Sequence, residues 1–265
     1  MTLTGKVSIV TGATKMKGLG RAIALKLAKQ GAKIALTGRS SSAEGLQLVV
    51  DDLTAQGAEV ISVIVDVSQQ AEVNTAVQRV IDHYGSVDIL VNNAGVGAGS
   101  PVFLENQSKD WDANYAVNVK GTMAMCAAVL PHMVRQGAGA IVNIASLAGL
   151  GALSGMPYPY TATKFALVGI TKELALEYAN KGVRVNVVCP GAIATDMLQQ
   201  AYEGLAEAEG ISIEEAAKLE NAGIAMGRPA EPSEIADTVS YLASPAASYV
   251  TGVAMPVGGG MLPGL

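Results

Sequence analysis

Short apolar runs alternate along this chain with segments whose apolar residues return every third or fourth position. Val7 to Val10 reads as a first strand, and a glycine-bearing turn leads from it into a helix from Leu19 to Gln30. Ile23 and Leu27, with their neighbours Ala24 and Ala28, take the i, i+4 spacing of a helical face laid on a sheet. Gly31 stands just past the helix, where a left-handed residue closes the last turn. The pattern then repeats. Lys33 to Thr37, Val60 to Val65 and Val87 to Val91 read as strands, and Ser42 to Gln56 and Gln69 to Tyr84 as helices ended by Gly57 and Gly85. Helical spacing then covers Trp111 to Gln136, followed by a strand from Ala140 to Ala145. A helix from Tyr158 to Asn180 and a strand from Val183 to Cys189 come next. A last helix, Glu234 to Ala243, precedes a last strand, Val253 to Val257.

Repeated strand–helix units with short connections predict an α/β fold. The expected form is a doubly wound parallel β-sheet of about seven strands, with right-handed crossovers and helices on both faces. Strands covered on both sides read as continuous apolar runs, as these do. No Pro/Ser-rich linker, internal repeat or low-complexity tract divides residues 1–265, which predicts a single domain. Residues 194–226 lack strand character and carry Gly204, Gly210 and Gly223, so two short helices there would form a small substrate cover.

Composition narrows the class. Half of the residues are apolar and 15% are charged, a balance that suits a large buried core; a single domain of this length removes roughly 75% of its unfolded surface from water. The 18 basic and 23 acidic residues give a net charge of -5, and no long basic run exists, which argues against a nucleic-acid partner. No 18-residue apolar stretch lacks charges or breakers, so no membrane span is expected. The first strand pattern starts at Lys6, leaving no room for a signal peptide, and the expected location is cytoplasmic. Cys126 and Cys189 lie in apolar runs and read as buried thiols. His83 and His132 are isolated, no ligand spacing occurs, and no metal is expected.

Candidate chemistry begins in the first turn. Gly12, Gly18 and Gly20 lie between a strand and a helix, where glycines let backbone approach a pyrophosphate and the helix N-terminus offers free N–H groups. Thr14, Lys17 and Leu19 belong to the same turn. At the end of the second strand, where an NAD site usually places Asp or Glu, this chain has Gly38 and then Arg39. Lys17 and Arg39 would pair with a 2′-phosphate, so NADP(H) is favoured over NAD(H).

A second group lies on a predicted helix. Tyr160 and Lys164 are one turn apart on one face. A free phenol has a pKa of about 10, and an ammonium beside it, together with a cationic nicotinamide, would stabilise phenolate and lower that value. Such a tyrosine would give a proton to a carbonyl, or take one from an alcohol. Ser146 follows the fifth strand, Asn92-Asn93-Ala94-Gly95 the fourth, and Pro190-Gly191 through Thr195 the sixth. With the first turn, four strand ends carry site candidates at the edge where α/β folds bind ligands.

These residues together resemble the short-chain dehydrogenase/reductase family over essentially the whole chain, in particular its 3-oxoacyl-reductase-like and carbonyl-reductase-like members. The resemblance implies a Rossmann-type fold and a catalytic tetrad of Asn118, Ser146, Tyr160 and Lys164. By it, Ser146 would bond the substrate oxygen, Lys164 would also hold the nicotinamide ribose, and Asn118 would anchor a water linking Lys164 to solvent. Asp66 and Val67 match adenine-contacting positions; Asn93, Ala94 and Gly95 match a sheet-stabilising motif. Pro190, Gly191, Ile193 and Thr195 match the nicotinamide segment, with Thr195 on the carboxamide. Family members are usually homotetramers, and the helix from Tyr158 and the stretch Val253 to Leu265 are the candidate interfaces.

The chain departs from the family pattern in three places. Five residues, not three, separate Gly12 from Gly18; Ser146 lies 14 residues before Tyr160, one more than is common; and Val257-Gly258-Gly259 replaces a frequent Asp-Gly-Gly. The expected activity is NADP(H)-dependent interconversion of a ketone or 3-oxo compound and a secondary alcohol. The alternatives are a non-catalytic NADP-binding sensor and an enoyl (C=C) reductase, the latter suggested by the long turn and opposed by Ser146. Ser100 to Phe103, Leu147 to Tyr158 and Thr195 to Met226 would line an apolar substrate pocket.

Overall fold

A computed structural model describes residues 2–261 and 263. Met1, Leu262, Gly264 and Leu265 lie outside the described residues, so the end of the predicted C-terminal interface is not covered. The chain runs β1 (Val7–Thr11), α1 (Leu19–Lys29), β2 (Lys33–Gly38), α2 (Ala43–Ala55), β3 (Val60–Ile64), α3 (Gln70–Tyr84) and β4 (Ile89–Asn92). It continues through α4 (Ser108–Asn114), a π-helical turn (Tyr115–Gly121), α5 (Thr122–Gln136), β5 (Gly139–Ile144), α6 (Tyr158–Tyr178) and β6 (Val183–Pro190). The cover helices α7 (Asp196–Glu209) and α8 (Ile213–Asn221), then α9 (Pro232–Ala243) and β7 (Ala254–Val257), complete it.

The seven strands pair in parallel in the order β3-β2-β1-β4-β5-β6-β7. Strand order therefore reverses between β1 and β4, and a crevice opens there at the carboxyl edge, the place where such sheets take ligands. Alternate side chains feed two apolar layers. Val10, Leu36, Val91 and Val142 meet Ile23, Leu27, Leu46 and Val239 of α1, α2 and α9. Ile9, Ala35, Leu90 and Ile141 meet Val73, Val77, Val129 and Met133 of α3 and α5. On that second face α6 lays Leu167 and Val168 over Val187 and Cys189.

Two expectations need correction. The helix predicted from Trp111 to Gln136 starts at Ser108 and is broken by the π turn. There Asn114 and Asn118 turn their amides towards the loop after β4, bonding the carbonyls of Ala98 and Val96 at 2.9 Å each; single π turns inside α-helices commonly mark functional positions. The strand predicted from Val87 begins at Ile89 because Asp88 is a junction rather than a strand residue. Its carboxylate accepts from Val7 N at 3.0 Å and from Lys6 Nζ at 2.8 Å, clamping the entry to β1. The helix ends are as expected: Gly31, Gly57 and Gly85 all have φ between +83° and +92°.

A buried polar chain ties the strands that carry the site. Asn92 and Asn143 stand opposite each other in β4 and β5, and Asn92 Nδ2 donates to Asn143 Oδ1 at 2.9 Å. Asn143 Nδ2 donates in turn to Thr171 Oγ1 of α6 at 2.9 Å. Removing the central amide would take one hydrogen bond from Asn92 Nδ2, which keeps Cys126 Sγ, and one from Thr171 Oγ1, which keeps Leu167 O, at about 0.5–1.5 kcal/mol each. Asn143→Ala should therefore lower unfolding free energy by about 1–3 kcal/mol, read as a fall in the urea midpoint. An unchanged midpoint would show that the chain of bonds is dispensable.

Candidate active site

The first turn is shaped by exclusion. Gly12 has φ +70°, and a Cβ on it would lie 2.7 Å from Ala94 Cα. A Cβ on Gly20 would lie 2.8 Å from Asn93 Nδ2 and 2.9 Å from Ala13 Cα. A side chain at either position would separate β1 from the loop after β4, so backbone lies bare along this side of the crevice. The turn's outer half leans on the next strand, where Gly38 and Gly45 have no room for a Cβ beside Thr14. This packing accommodates the two extra residues. Lys17 and Arg39 are exposed, and neither forms an ion pair among the described residues.

Thr11, the first residue of the glycine-bearing turn motif, fastens β1 to β4. Its Oγ1 accepts from Asn93 N at 3.0 Å and from Ala94 N at 2.9 Å. Asn93 returns the link by donating Nδ2 to Thr11 O at 2.8 Å. Next to this seam Asp66 Oδ1 takes Ser68 N and Ser68 Oγ, at 2.9 and 2.7 Å, and so shapes the turn after β3. Val67 packs against Gly121 at the end of the π turn, where a Cβ would come within 2.7 Å of Val67 Cγ2.

The second half of the site gathers around α6. Pro157 caps this helix and Pro159 lies in its first turn, where the missing N–H costs nothing. Tyr160 and Lys164 follow one turn apart. Lys164 is only 5% exposed, and its Nζ donates to Ile144 O at the end of β5 at 2.9 Å, with the Tyr160 ring centroid 5.3 Å away. Ser146, two residues beyond β5, is held by Ala148 N, which donates to its Oγ at 3.1 Å. A three-residue 3-10 turn, Leu147–Gly149, takes up the chain after it.

Asn118 completes the group. Val96 N donates to its Oδ1 at 2.8 Å, while its Nδ2 donates to Val96 O at 2.9 Å and to Thr163 Oγ1 at 3.0 Å. Thr163 Oγ1 donates in turn to Tyr160 O at 2.8 Å. The amide thus fixes the loop after β4 to the start of α6. Gly95 lies between the two halves: a Cβ there would stand 3.4 Å from Asn118 Oδ1 and 3.6 Å from Lys164 Nζ. Thr163 is invisible to sequence reasoning, since nothing in Tyr-x-x-x-Lys spacing marks the middle residues.

Burial sets the charges. It lowers the Lys164 amine to about 8, with Cys189 nearby pulling it slightly back up. Burial also raises the Tyr160 phenol above its ordinary value, an effect that hydrogen bonding to Ser146 partly offsets. Loss of water is the largest influence on this phenol, and the Lys164 ammonium donates to Ile144 O. Cys189 and Cys126 are buried as expected, and burial pushes their thiols up to about 11 and about 12.

The third edge comes from β6. Pro190 ends the strand, Gly191 N donates to Val257 O at 3.0 Å, and Leu147 Cδ1 fills the place where a Gly191 or Gly258 side chain would stand. Val257 therefore serves through its carbonyl, so the missing Asp leaves this junction intact. Ile193 forms a bridge with Ala230, and Thr195 caps α7 without a side-chain bond to it. The sheet edge thus carries a bare-backbone turn, two exposed cations in Lys17 and Arg39, and a phenol–ammonium–hydroxyl group, an arrangement fit for a phosphorylated dinucleotide and proton transfer.

The family model described as "Enoyl-(Acyl carrier protein) reductase" matches residues 12–262. Among curated relatives, the 3-oxoacyl-[acyl-carrier-protein] reductase FabG of Staphylococcus epidermidis is 36% identical over 256 residues, covering 97% of this chain and 98% of its own. The oxidoreductase UcpA of Escherichia coli K12 is 38% identical over 260 residues, covering 97% and 95%. Among solved structures, an actinorhodin polyketide ketoreductase with NADPH superposes with a TM-score of 0.91 at 37% identity, over 98% of this chain and 99% of that one. Levodione reductase gives 0.88 at 33% identity, over 97% of each chain. Fold, site and relatives agree, and the chain belongs to the short-chain dehydrogenase/reductase family.

Proposed function

We propose that this chain is an NADP(H)-dependent oxidoreductase that interconverts a ketone or 3-oxo compound and a secondary alcohol. The observation that carries this reading is the convergence of Tyr160, Lys164 and Ser146 at the crevice edge, across Gly95 from the bare turn at Gly12. Gly12, Gly18, Gly20, Asn93, Ala94 and Gly95 would hold the dinucleotide, with Thr14 and Leu19 in the turn and Asp66 and Val67 beside adenine. Lys17 and Arg39, with Gly38 and Thr14 between them, would take the 2′-phosphate. Pro190, Gly191, Ile193 and Thr195 would flank nicotinamide, which when bound supplies the hydride.

Ser146 Oγ orients the carbonyl oxygen, and the Tyr160 hydroxyl delivers a proton to it as the alcohol forms. A phenol with a raised pKa holds that proton until the substrate oxygen becomes basic. Lys164 supplies positive charge next to the emptied phenol, and Asn118 and Thr163 keep α6 in register with the loop that carries Gly95. The enoyl-reductase description of the family model and the five-residue gap in the turn favour a second reading, C=C reduction. Ser146 has no evident task in that reaction, and a crotonyl thioester assay separates the two. A non-catalytic sensor would need none of Tyr160, Lys164 and Ser146.

With NADPH and a panel of ketones, loss of nicotinamide absorbance should be measurable, and Tyr160→Phe should lower kcat by roughly a hundred- to ten-thousandfold. Undiminished turnover in that variant would remove the phenol from the mechanism. Ketone reduction should weaken as pH rises through about 8, where Lys164 loses its proton. The same amine makes stability rise with pH between about 8 and its ordinary value of 10.5, because the unfolded chain binds more protons over that window. A flat reduction profile from about pH 7 to about pH 10 would contradict the charged form.

Replacing Lys17 and Arg39 together by Ala should raise KM for NADPH by roughly ten- to a hundredfold and leave KM for NADH nearly unchanged. Equal effects on both cofactors would show that the two cations do not read the 2′-phosphate. The chain is further proposed to act as a cytoplasmic homotetramer. Met123 on α5 and Phe165 and Leu176 on α6 are exposed, Gly169 between the latter two has open space above it, and Tyr249 projects fully beside the edge strand β7. Light scattering should return the mass of four 27.0 kDa chains, whereas a monomer mass would leave these apolar residues without a role.

A further inference from the structure

The loop between β4 and α4 carries a feature that the reaction itself does not require. It runs against the start of α6: a Cβ on Gly97 would touch the Tyr160 ring at 3.5 Å, and one on Gly99 would lie 3.3 Å from Pro159. Beyond Gly99 the chain turns outward and presents Val102 and Phe103, 51% and 58% exposed, to solvent. The Phe103 ring meets that of Tyr158 edge-to-face, centroids 5.2 Å apart at 68°, and Tyr158 lies two residues before the phenol of the site. An apolar, aromatic ledge thus stands at the mouth of the crevice.

The ledge is rigid by construction. A single amide, Asn106, accepts from Ser100 N at 2.9 Å and donates to the carbonyls of Ser100, Val102 and Phe103 at 3.1, 2.9 and 3.2 Å. Ser100 Oγ accepts from Val102 N at 3.0 Å and donates to Glu105 Oε2 at 2.7 Å. Gly99 has φ +106°, and a Cβ there would come within 2.5 Å of Asn106 Oδ1, so the loop admits no side chain at its pivot. Exposed rings held in place lose little freedom when a ligand covers them, which is how preordered aromatic surfaces gain affinity.

Charge narrows the occupant. The cover helices carry four carboxylates in α7 and three in α8 against one amine, Lys218. The chain as a whole carries a net charge of -5, a field that disfavours an anionic compound and leaves a neutral one unaffected. We propose that the compound reduced here is a bulky, uncharged ketone with an aromatic or fused-ring face, which seats on Val102, Phe103 and Tyr158. This rests on the ketone–alcohol reading above and adds the substrate class to it. Phe103 and Tyr158 determine specificity, and Asn106 is a positioning residue that acts through the loop.

The test compares three carbonyl compounds with NADPH: α-tetralone, a neutral bicyclic ketone; ethyl acetoacetate, small and neutral; and acetoacetyl-CoA, small at its acyl end and highly anionic. The wild-type chain should show kcat/KM for α-tetralone at least about tenfold above that for acetoacetyl-CoA. Phe103→Ala and Tyr158→Ala should each raise KM for α-tetralone roughly tenfold while kcat, and KM for ethyl acetoacetate, stay nearly constant. Asn106→Ala should reproduce the KM effect without a change in the pH profile, and Phe103→Trp should keep the wild-type KM. Preference for the CoA thioester overturns the proposal, as does KM for α-tetralone unmoved in Phe103→Ala. An altered oligomeric mass in Phe103→Ala with unchanged KM would make the ledge a subunit contact and overturn it too. Reduction of ethyl acetoacetate without α-tetralone sinks the ledge alone, whereas no turnover of any of the three sinks the underlying ketone–alcohol reading.

Discussion

Lys164 carries an amine into a place from which water is nearly excluded, and a buried ammonium survives there only if its surroundings supply a substitute for hydration. The carbonyl of Ile144 supplies part of it at 2.9 Å, and burial still lowers the amine to about 8. Much of the local architecture follows from that requirement. The end of β5 must point its carbonyl at α6, α6 must enter at a fixed height, and Gly95 brings bare backbone close to the nitrogen. The chain fixes that height with Pro157 and Pro159 at the start of the helix, and it fixes the approach of the β4 loop with Asn118 and Thr163. An amine that titrates near neutrality and a phenol that holds its proton more tightly are both products of the same exclusion of water.

The opposite wall of the crevice is built by steric rules rather than by charge. Parallel strands share one polarity, so every βα junction falls on one edge, and the reversal of order between β1 and β4 leaves a gap that no crossover covers. Thr11 and Asn93 sew the base of that gap with hydrogen bonds in both directions. Gly12 and Gly20 then admit backbone contact where any Cβ would force the seam apart. Binding surface and seam are one piece of backbone, which ties cofactor affinity to the register of β1 against β4.

The sheet and most of the site are legible in the sequence because their signals are local. Apolar runs, helix-ending glycines and a Tyr-x-x-x-Lys spacing are each set by neighbours in sequence, and the strand ends they imply converge automatically in a parallel sheet. What stays illegible depends on partners far along the chain. Thr11 becomes a clamp only because residues 93 and 94 arrive beside it, and Thr163 becomes a link only because Asn118 faces it. The π turn at Tyr115–Gly121 leaves no mark in a helical apolar pattern, since widening one turn keeps the same face buried. Spacing reveals a charge near Tyr160, whereas desolvation depends on everything packed around the ring.

The glycines divide the molecule into a fixed part and a permissive one. Those at the chemical edge are pinned by neighbours: Gly12, Gly20, Gly38, Gly149, Gly191 and Gly258 would each drive a Cβ to within 3.2 Å of another atom. Farther out the constraint is the backbone: a Cβ added at Gly155, Gly204, Gly210 or Gly227 would meet nothing within 4 Å, but Gly155, Gly210 and Gly227 hold φ of +79°, +66° and +72°, which leaves Gly204 alone free on both counts. Change in the first set would disturb the crevice proposed to bind dinucleotide, whereas change at Gly204 would reshape a surface without touching it. The Ser100–Asn106 loop is the exception among the outer segments, since Gly99 is as confined as any glycine of the core edge. Confinement on the substrate side costs conformational freedom that a passive connector would keep, and the loop spends it on holding two aromatic rings at the entrance.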